Sequence, residues 1–373
     1  MNVAEQIVGQ LVDAGVHHIY GIVGDSLNPI VDAVRKTGGS KKGGIDWIHV
    51  RHEEAAAFAA SAEAQLTGKL AVCAGSCGPG NLHLINGLYD ANRTGAPVLA
   101  IASHIPSVQI GSMYFQETHP DRIFEECSVY NELISSAAQS PRTVNSAIRH
   151  AVGLGGVAVI TLPGDVSDLK AVDHVPTYAP ARPATLAPNA ADIEEAAALL
   201  NKADKVAIFA GAGVEGAHDE VIALADALKA PIGHSLRGKN FIQYDNPFDV
   251  GMTGLLGYGA AAEGMSDADV LILLGTDFPY DQFLPSTPTI QVDTHAEKLG
   301  RRTDVGLAIH AQVKPFIEAL LPHLRQDRSD AFLTAKIKKH SEIMHAPVGA
   351  YTRNVEKMRP IHPEYAAHLL NET

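Results

Sequence analysis

The strongest constraint on the fold is a regular alternation of short apolar runs with stretches that have the spacing of amphipathic helices. Between the runs, apolar residues such as Ile7, Val8, Leu11 and Val12 recur at helical intervals. Continuous apolar strands that alternate with helices are typical of parallel sheets covered on both faces. The sequence therefore predicts an α/β fold, with strands in its first part at His18–Val23, Trp47–Val50, Leu70–Ala74, Val98–Ala102 and Val157–Leu162.

A change of composition divides the chain. Residues 173–190 contain four prolines among Ala, Thr and Arg and have no apolar period, which is typical of a linker. The alternation then returns, with strands predicted at Val206–Ala210, Pro231–Ser235, Val270–Leu274 and Thr289–Val292. We therefore expect two open parallel-sheet domains at 1–172 and 191–330, followed by a connector at 331–373 that leads into a further domain.

Composition narrows the classes of partner and compartment. A net charge of -13 argues against a nucleic-acid partner, which would require clustered Lys and Arg. Three cysteines are too few for a disulfide framework and fit a reducing cytoplasm. Cys73 and Cys77 lack a second pair or a paired histidine, so we predict no metal ligands in this chain. The sequence shows neither a signal peptide nor an apolar run long enough to span a bilayer, and we expect a cytoplasmic protein.

Two polar blocks follow predicted strands of the first domain. Residues 51–54, Arg-His-Glu-Glu, open an Ala-rich helix, and taken alone their carboxylates would serve only the helix dipole. Residues 75–81, Gly-Ser-Cys-Gly-Pro-Gly-Asn, form a glycine-rich turn between a strand and a helix. Such a turn allows a ligand to approach closely and offers it free backbone N–H groups.

Together and in order, these blocks resemble the pyrimidine-binding domain of thiamine-diphosphate enzymes. The resemblance extends to the blocks at Gly21–Ser26, Pro97–Ile101, Phe115–Glu117 and Leu162–Val166. It implies that Glu53, rather than Glu54, hydrogen-bonds the aminopyrimidine ring of the cofactor and promotes proton removal from its thiazolium carbon. A carboxyl group with this task is expected in a poorly solvated pocket. The resemblance places Phe115 and Gln116 near the thiazolium and the substrate, and it implies further cofactor contacts at Gly24, Asp25, Ser76, Gly78, Gly80 and Asn81.

Some of these residues have plainer interpretations. Phe115 could be an ordinary core residue, and Asp25 could cap the following helix rather than line the pocket. His83 and His104 match no role in the family pattern, so we expect them to be structural histidines.

The second domain contains glycine-rich and acidic blocks at predicted strand ends. The Gly-x-Gly-x-x-Gly pattern at 211–216 is weak evidence on its own. The blocks Gly251–Gly254, Leu274–Phe278 and Gln291–Asp293 are more specific, since ligands of open α/β sheets bind at the carboxyl ends of the strands. Each block also has a plain interpretation, as a turn glycine, a loop cap or a surface acid.

In order, and preceded by His234–Lys239, these blocks resemble the middle domain of flavin-containing pyruvate oxidases. Tyr244–Pro247 and Gly251–Gly254 resemble the quinone-reducing bacterial branch in particular. The resemblance implies a homodimer or homotetramer that oxidises pyruvate to acetate and CO₂ and passes electrons through FAD to a quinone at the inner face of the membrane. An acetolactate-synthase-like enzyme or decarboxylase, and a catalytically silent nucleotide-binding or assembly module, remain alternatives. The FAD contacts that the resemblance implies are Gly211, Gly213, His234, Arg237, Gly251, Met252, Thr253, Gly254, Leu274, Gly275, Thr276, Asp277, Phe278 and Asp293.

One element of the family pattern is not found. The Gly-Asp-Gly signature of the third domain, which holds the diphosphate and Mg²⁺, does not occur in the 373 residues. We therefore expect this chain alone to have no turnover. The other half of each active site would come from the third domain of a partner subunit.

Overall fold

The computed structural model describes residues 1–173, 178–181, 184–345, 349–371 and 373. It divides into two compact units, Met1–Arg182 and Pro183–Thr373. Part of the predicted linker, at 174–177 and 182–183, lies outside the described residues, as do 346–348 and 372 of the predicted connector.

The first unit is built on a six-stranded sheet in which every strand pairing is parallel. Its strand order is β2-β1-β3-β4-β6-β5. Strands β3, β4 and β6 are fully buried, as the continuous apolar runs predict. The strands are β1 His18–Gly21, β2 Asp46–His49, β3 Ala71–Gly75, β4 Val98–His104, β5 Tyr130–Leu133 and β6 Val157–Pro163.

Helices connect these strands and cover the sheet. The first helix begins at a capping box, in which Asn2 and Glu5 satisfy each other's backbone N–H groups. The helices are α1 Val3–Asp13, α2 Asn28–Lys36, α3 Glu53–Thr67, α4 Pro79–Thr94, α5 Pro120–Ile123, α6 Ser140–Leu154 and α7 Gly164–Asp168.

The second unit contains a seven-stranded sheet with the order β10-β9-β8-β7-β11-β12-β13. All its pairings are parallel except the one between β9 and β10. The prediction of an α/β protein with two largely parallel sheets is thus confirmed. The strands are β7 Val206–Ala210, β8 Ile232–His234, β9 Asp249–Met252, β10 Tyr258–Gly259, β11 Val270–Leu274, β12 Thr289–Asp293 and β13 Leu307–His310.

One helix beyond residue 330 packs on this second sheet. Its Lys336 is almost fully buried, and the ammonium group lies 2.7 Å from Glu263 Oε1 and 2.6 Å from Asp267 Oδ2. No helix among the described residues is long and apolar enough to cross a membrane. The helices of this unit are α8 Ala190–Lys202, α9 His218–Leu228, α10 Lys239–Ile242, α11 Ala261–Ser266, α12 Val313–Leu320, α13 Ala331–Ile343, α14 Gly349–Thr352 and α15 Pro363–Asn371.

Candidate active site

The polar blocks of the first unit meet at the carboxyl edge of its sheet. Strands β1 and β3 are neighbours, and the chain passes from β1 to β2 on one side before it returns to β3 on the other. Such a change of direction opens a crevice in which α/β proteins bind ligands. A Cβ atom on Gly24, after β1, would lie 2.4 Å from the Ser76 hydroxyl oxygen, after β3. Glycine at 24 therefore lets the two strand ends approach each other.

Hydrogen bonds hold the two strand ends together. The Ser26 hydroxyl oxygen lies 3.0 Å from that of Ser76 and accepts the backbone N–H of Cys77 at 3.1 Å. Asn81 is fully buried, and its amide group donates to the Ser103 carbonyl at 2.7 Å. The predicted cofactor residues Ser76 and Asn81 therefore also hold the glycine-rich turn in place.

Glu53 is the first residue of α3 and the one buried carboxylate among the described residues of the first unit, with 9% of its side chain exposed. A Cβ atom on Gly80 would lie 3.1 Å from Glu53 Oε1. The carboxyl group therefore faces the glycine-rich turn, and glycine at 80 leaves room beside it. The neighbouring Glu54 is more exposed and bonds Asn86 instead. Glu53 and Glu54 therefore differ in burial and in partners, and Glu53 is the one that faces the turn.

His83 lies beside this carboxyl group, which sequence reasoning missed. Its Nδ1 is 3.0 Å from Glu53 Oε2, and its ring stacks on that of His52 at a centroid distance of 4.3 Å. The side chain is 45% exposed, which does not fit a structural histidine. The available signal was its position: His83 lies one helical turn after Pro79, the first residue of α4, on the turn that faces Glu53.

Gln116 reaches the same turn from a separate loop. It has a left-handed backbone, with φ at 64°, and its Oε1 lies 3.3 Å from Cys77 Sγ. A Cβ atom on Gly78 would lie 2.8 Å from that of Gln116. Phe115 is 79% exposed, so its interpretation as a core residue is wrong. The structure thus brings Gln116 next to the turn and leaves Phe115 open to a ligand.

The loop that carries Phe115 and Gln116 is closed by one carboxylate. Glu117 accepts backbone N–H groups from Gly111 and Tyr114. The N–H of Gly111, and to a lesser extent that of Tyr114, holds the pKa of Glu117 below its usual value. Glu117 is therefore a positioning residue for the loop.

We expect Glu117→Gln to make this loop more mobile and to remove the pH dependence of the loop's stability. Because the folded pKa of Glu117 is lowered, its stabilising effect is complete above the ordinary glutamate pKa of about 4.3 and is lost as the pH falls through the folded value. In the unmodified protein, amide exchange at Gly111 should accelerate on acidification relative to the exchange of an unprotected amide at the same pH. In Glu117→Gln it should already be about tenfold faster at neutral pH, the effect expected for one lost hydrogen bond. Unchanged exchange in the variant would contradict this role.

Asp25 and His104 also lie at the carboxyl edge of the first sheet, after β1 and at the end of β4 respectively. Asp25 is exposed, and its carboxylate accepts the N–H of Ser26 at 2.8 Å. The expectation that Asp25 caps the following helix is wrong, because the residue before α2 is Leu27 and makes no side-chain cap. His104, at the end of β4, is buried, and burial lowers its pKa.

The glycine pattern of the second unit lies where β7 and β11 end side by side. A Cβ atom on Gly211 would lie 2.4 Å from the Gly275 carbonyl oxygen, and one on Gly213 would lie 2.6 Å from Gly275 Cα. Gly213 also donates its N–H to that carbonyl at 2.9 Å. These glycines are therefore accounted for by contact between two backbone segments.

The turn after β9 brings other predicted flavin contacts together. Gly251 and Gly254 have positive φ angles of 93° and 112°, and Met252 and Thr253 between them are buried. A Cβ atom on Gly254 would lie 3.1 Å from the ring of Phe278. The structure thus places this turn against the end of the Leu274–Phe278 block, where Leu274, Thr276 and Phe278 are also buried.

The charged residues of the proposed flavin site differ in how they are paired. Asp277 is bound by the guanidinium groups of Arg301 and Arg302. Asp293 is buried at the end of β12, and its Oδ1 accepts the N–H of His295 at 2.9 Å. The same Oδ1 lies 3.4 Å from Nδ1 of His295, whose side chain is exposed.

His234 and Arg237 follow β8 at the same edge. His234 is fully buried, and this burial lowers its pKa although Asp249 nearby acts in the opposite direction. Its Nδ1 lies 3.1 Å from the Ser235 carbonyl oxygen. Arg237 is exposed. The predicted flavin residues therefore lie along one sheet edge, in surroundings that range from the interior to the surface.

Comparison with known proteins identifies both units. The family model described as "Thiamine pyrophosphate enzyme, N-terminal TPP binding domain" matches residues 1–123, and the model described as "Thiamine pyrophosphate enzyme, central domain" matches residues 193–320. An uncharacterized 42.6 kDa protein in the isoamylase 3' region of Pseudomonas amyloderamosa is 54% identical over 89% of this chain and 84% of its own length.

Two further relatives are longer. YdaP of Bacillus subtilis (strain 168), whose name describes it as thiamine pyrophosphate-containing, is 38% identical over 89% of this chain and 58% of its own length. The pyruvate oxidase of Lactiplantibacillus plantarum is 32% identical over 87% and 54%. Acetolactate synthases match at a similar level, with 31% identity for isozyme 2 of Escherichia coli. The chain spans a little over half the length of these longer relatives. It belongs to the thiamine pyrophosphate enzyme family and carries that family's N-terminal and central domains.

Proposed function

We propose that this chain supplies the pyrimidine-binding and flavin-binding parts of an enzyme that oxidatively decarboxylates pyruvate to acetate and CO₂ and passes the electrons from FAD to a quinone. The observation that carries the thiamine part is the position of Glu53. Its carboxyl group is buried, faces Gly80 across a space that a Cβ atom would fill, and is oriented by His83.

The residues of the first unit have distinct tasks in this proposal. Thiamine diphosphate, when bound, supplies the carbanion chemistry at its thiazolium carbon. Glu53 would hold and move a proton at a pyrimidine ring nitrogen, since a buried carboxyl group can share a proton with such a group. His83 fixes the orientation of that carboxylate through its 3.0 Å contact with Oε2. Phe115 and Gln116, on the loop closed by Glu117, would bind the substrate and exclude water.

The flavin part of the proposal depends on the carboxyl edge of the second sheet. The buried Asp293 offers an acceptor at the end of β12, where bound nucleotides place ribose hydroxyls. The Gly251–Gly254 block, which includes the end of β9, lies at the same sheet edge, where it would contact a flat ring system. FAD at this edge would supply the two-electron oxidation that distinguishes an oxidase from a decarboxylase.

A titration with FAD tests the second unit. We expect Asp293→Asn to weaken FAD binding about 10- to 100-fold, because it replaces a charged hydrogen bond with a neutral one. Asp304→Asn is the matched control, since Asp304 is exposed and lies outside the proposed contacts. The measurement is quenching of flavin fluorescence. Equal affinities of the two variants would contradict the assignment of Asp293.

Product analysis separates the proposal from its main alternative. The chain is combined with the third domain that holds the diphosphate, loaded with FAD, thiamine diphosphate and Mg²⁺, and mixed with pyruvate in the absence of oxygen. Bleaching of the flavin with formation of acetate would support the oxidase. Formation of acetolactate without bleaching would favour the synthase alternative, which is supported by the similar identity of the acetolactate synthases. Flavin that stays bound and oxidised, without product, would favour a silent binding module.

A further inference from the structure

The stacked histidines and the buried carboxylate form a group that the proposed thiamine chemistry does not fully explain. Among the described residues, His52, Glu53 and His83 are the one group of three His, Cys, Asp or Glu residues whose potential metal-binding atoms all lie within 4.8 Å of one another. A carboxylate with one histidine would be sufficient to orient Glu53. The second imidazole adds a third donor to the same place.

The donor set matches a specific class of ion. Two imidazoles and one carboxylate form a common protein ligand set for Zn²⁺, with a fourth position left open. Imidazole nitrogen favours zinc and its transition-metal neighbours, whereas Mg²⁺ and Ca²⁺ prefer oxygen donors. The residues that carry these donors are close to the surface, because the side chains of His52 and His83 are 49% and 45% exposed. An ion could therefore reach them from solution.

The three donors lie within 4.8 Å of one another, so zinc binding requires His52 to turn out of its stack on His83. With bonds of about 2.0–2.2 Å, the donors of a tetrahedral zinc ion lie about 3.3 Å apart. Glu53 Oε2 and His83 Nδ1 are already 3.0 Å apart. His52 must turn its half-exposed ring, whose plane is inclined by 26° to that of His83. His52 Nδ1 accepts the N–H of Glu54 at 3.2 Å, which leaves Nε2 as its metal-binding atom.

The geometry points to a divalent transition-metal site, formed by His52, Glu53 and His83, that takes the Glu53 carboxylate away from thiamine. The second half of this statement rests on the proposed function, in which Glu53 binds the pyrimidine ring. A carboxylate that binds zinc through Oε2, the oxygen beside His83, must stay deprotonated, so it cannot hold the proton that it would share with a ring nitrogen. Zinc and thiamine diphosphate therefore exclude each other at this residue.

Zinc titration of the chelator-treated chain tests the site without any need for activity. Calorimetry should show one Zn²⁺ per chain, and Co²⁺ in its place should give the visible spectrum of a tetrahedral ion. His83→Gln and His52→Gln should each weaken zinc binding about 100-fold or more, since loss of a ligand exceeds the 10- to 100-fold effect typical of its supporting residues. His17→Gln, which removes an exposed histidine outside the group, should leave the affinity unchanged. Thermal melting in the absence of metal confirms that each variant is folded.

Three results would overturn the site: no zinc binding, equal binding by all three variants, or loss of affinity in the His17 variant alone. The exclusion is tested by repeating the titration with thiamine diphosphate present, after binding of the thiamine has been shown by its own titration. Bound thiamine should weaken zinc binding at least tenfold, and an unchanged affinity would overturn the exclusion. Zinc binding by a chain that binds no thiamine even when it is combined with the third domain would support the metal site and count against the proposed function alone.

Discussion

Glu53→Gln is expected to lower the rate at which the assembled enzyme, this chain combined with the third domain that holds the diphosphate, exchanges the thiazolium C2 proton of thiamine diphosphate by about 10²- to 10⁴-fold, the usual contribution of a positioned acid or base. An amide can still form a hydrogen bond but cannot take up or release a proton at neutral pH. Because the side chain is buried and paired with His83, solvent cannot easily replace it. The exchange is followed by proton NMR in D₂O.

Glu54→Gln is the matched control for this experiment. It removes the neighbouring carboxylate in the same first turn of α3, but that carboxylate is 39% exposed and bonds Asn86. Exchange by the control should stay within a few-fold of that of the unmodified protein. If both variants exchange equally fast while thiamine remains bound, Glu53 has no part in the proton transfer. If neither the variants nor the unmodified protein accelerates exchange, the thiamine function itself is contradicted.

The fold could be predicted because buried parallel strands leave a clear signal. Most of the predicted apolar runs became central strands of the two sheets. Strands β5, β10 and β13 were not predicted, and all three lie at sheet edges. An edge strand buries less of its surface, so its apolar run is shorter or alternates with exposed residues, as in β13. Strand β9 was not predicted, because Gly251 within it indicated a turn.

The candidate site was predictable only in part, because the contact between Glu53 and His83 depends on helix packing. Glu53 follows from the order of the sequence blocks. Its contact with His83 depends on how closely α3 and α4 approach each other, which small residues permit: a Cβ atom on Gly87 would lie 2.5 Å from that of Ala57. The same contact packs the Ala-rich helix α3 against α4 of the same unit. A sequence shows that such residues are small but not which helix they face.

The glycine pattern at 211–216 shows a second limit of prediction from sequence, because the same pattern has two structural explanations. Its spacing suggests a nucleotide contact, but in the structure Gly211 and Gly213 contact the backbone at Gly275. Both interpretations require a residue without a side chain, so the pattern alone cannot distinguish them. The partner segment, more than 60 residues later, determines which applies. Gly211, Gly213 and Gly275 are therefore expected to contribute to the stability of the fold whether or not a nucleotide binds.

Gly275→Ala should accordingly lower the free energy of unfolding of the second unit by about 2–5 kcal/mol. Gly275 has a φ of 57°, and a Cβ atom there would lie 2.4 Å from Gly213 Cα. The left-handed backbone accounts for about 1–2 kcal/mol of the expected loss. Overpacking against a backbone that cannot move aside accounts for about 1–3 kcal/mol more.

Gly300→Ala separates these two contributions. Gly300 has a similar φ of 73°, but a Cβ atom there would meet no atom within 4 Å among the described residues. This control should therefore lose only the backbone contribution of about 1–2 kcal/mol. Urea unfolding followed by far-UV circular dichroism measures both variants. The single tryptophan, Trp47, lies in β2, so its fluorescence distinguishes unfolding of the first unit from loss of the second. Equal losses in the two variants would show that the backbone at Gly213 moves aside, and that close contact between the two strand ends is not what requires glycine at 275.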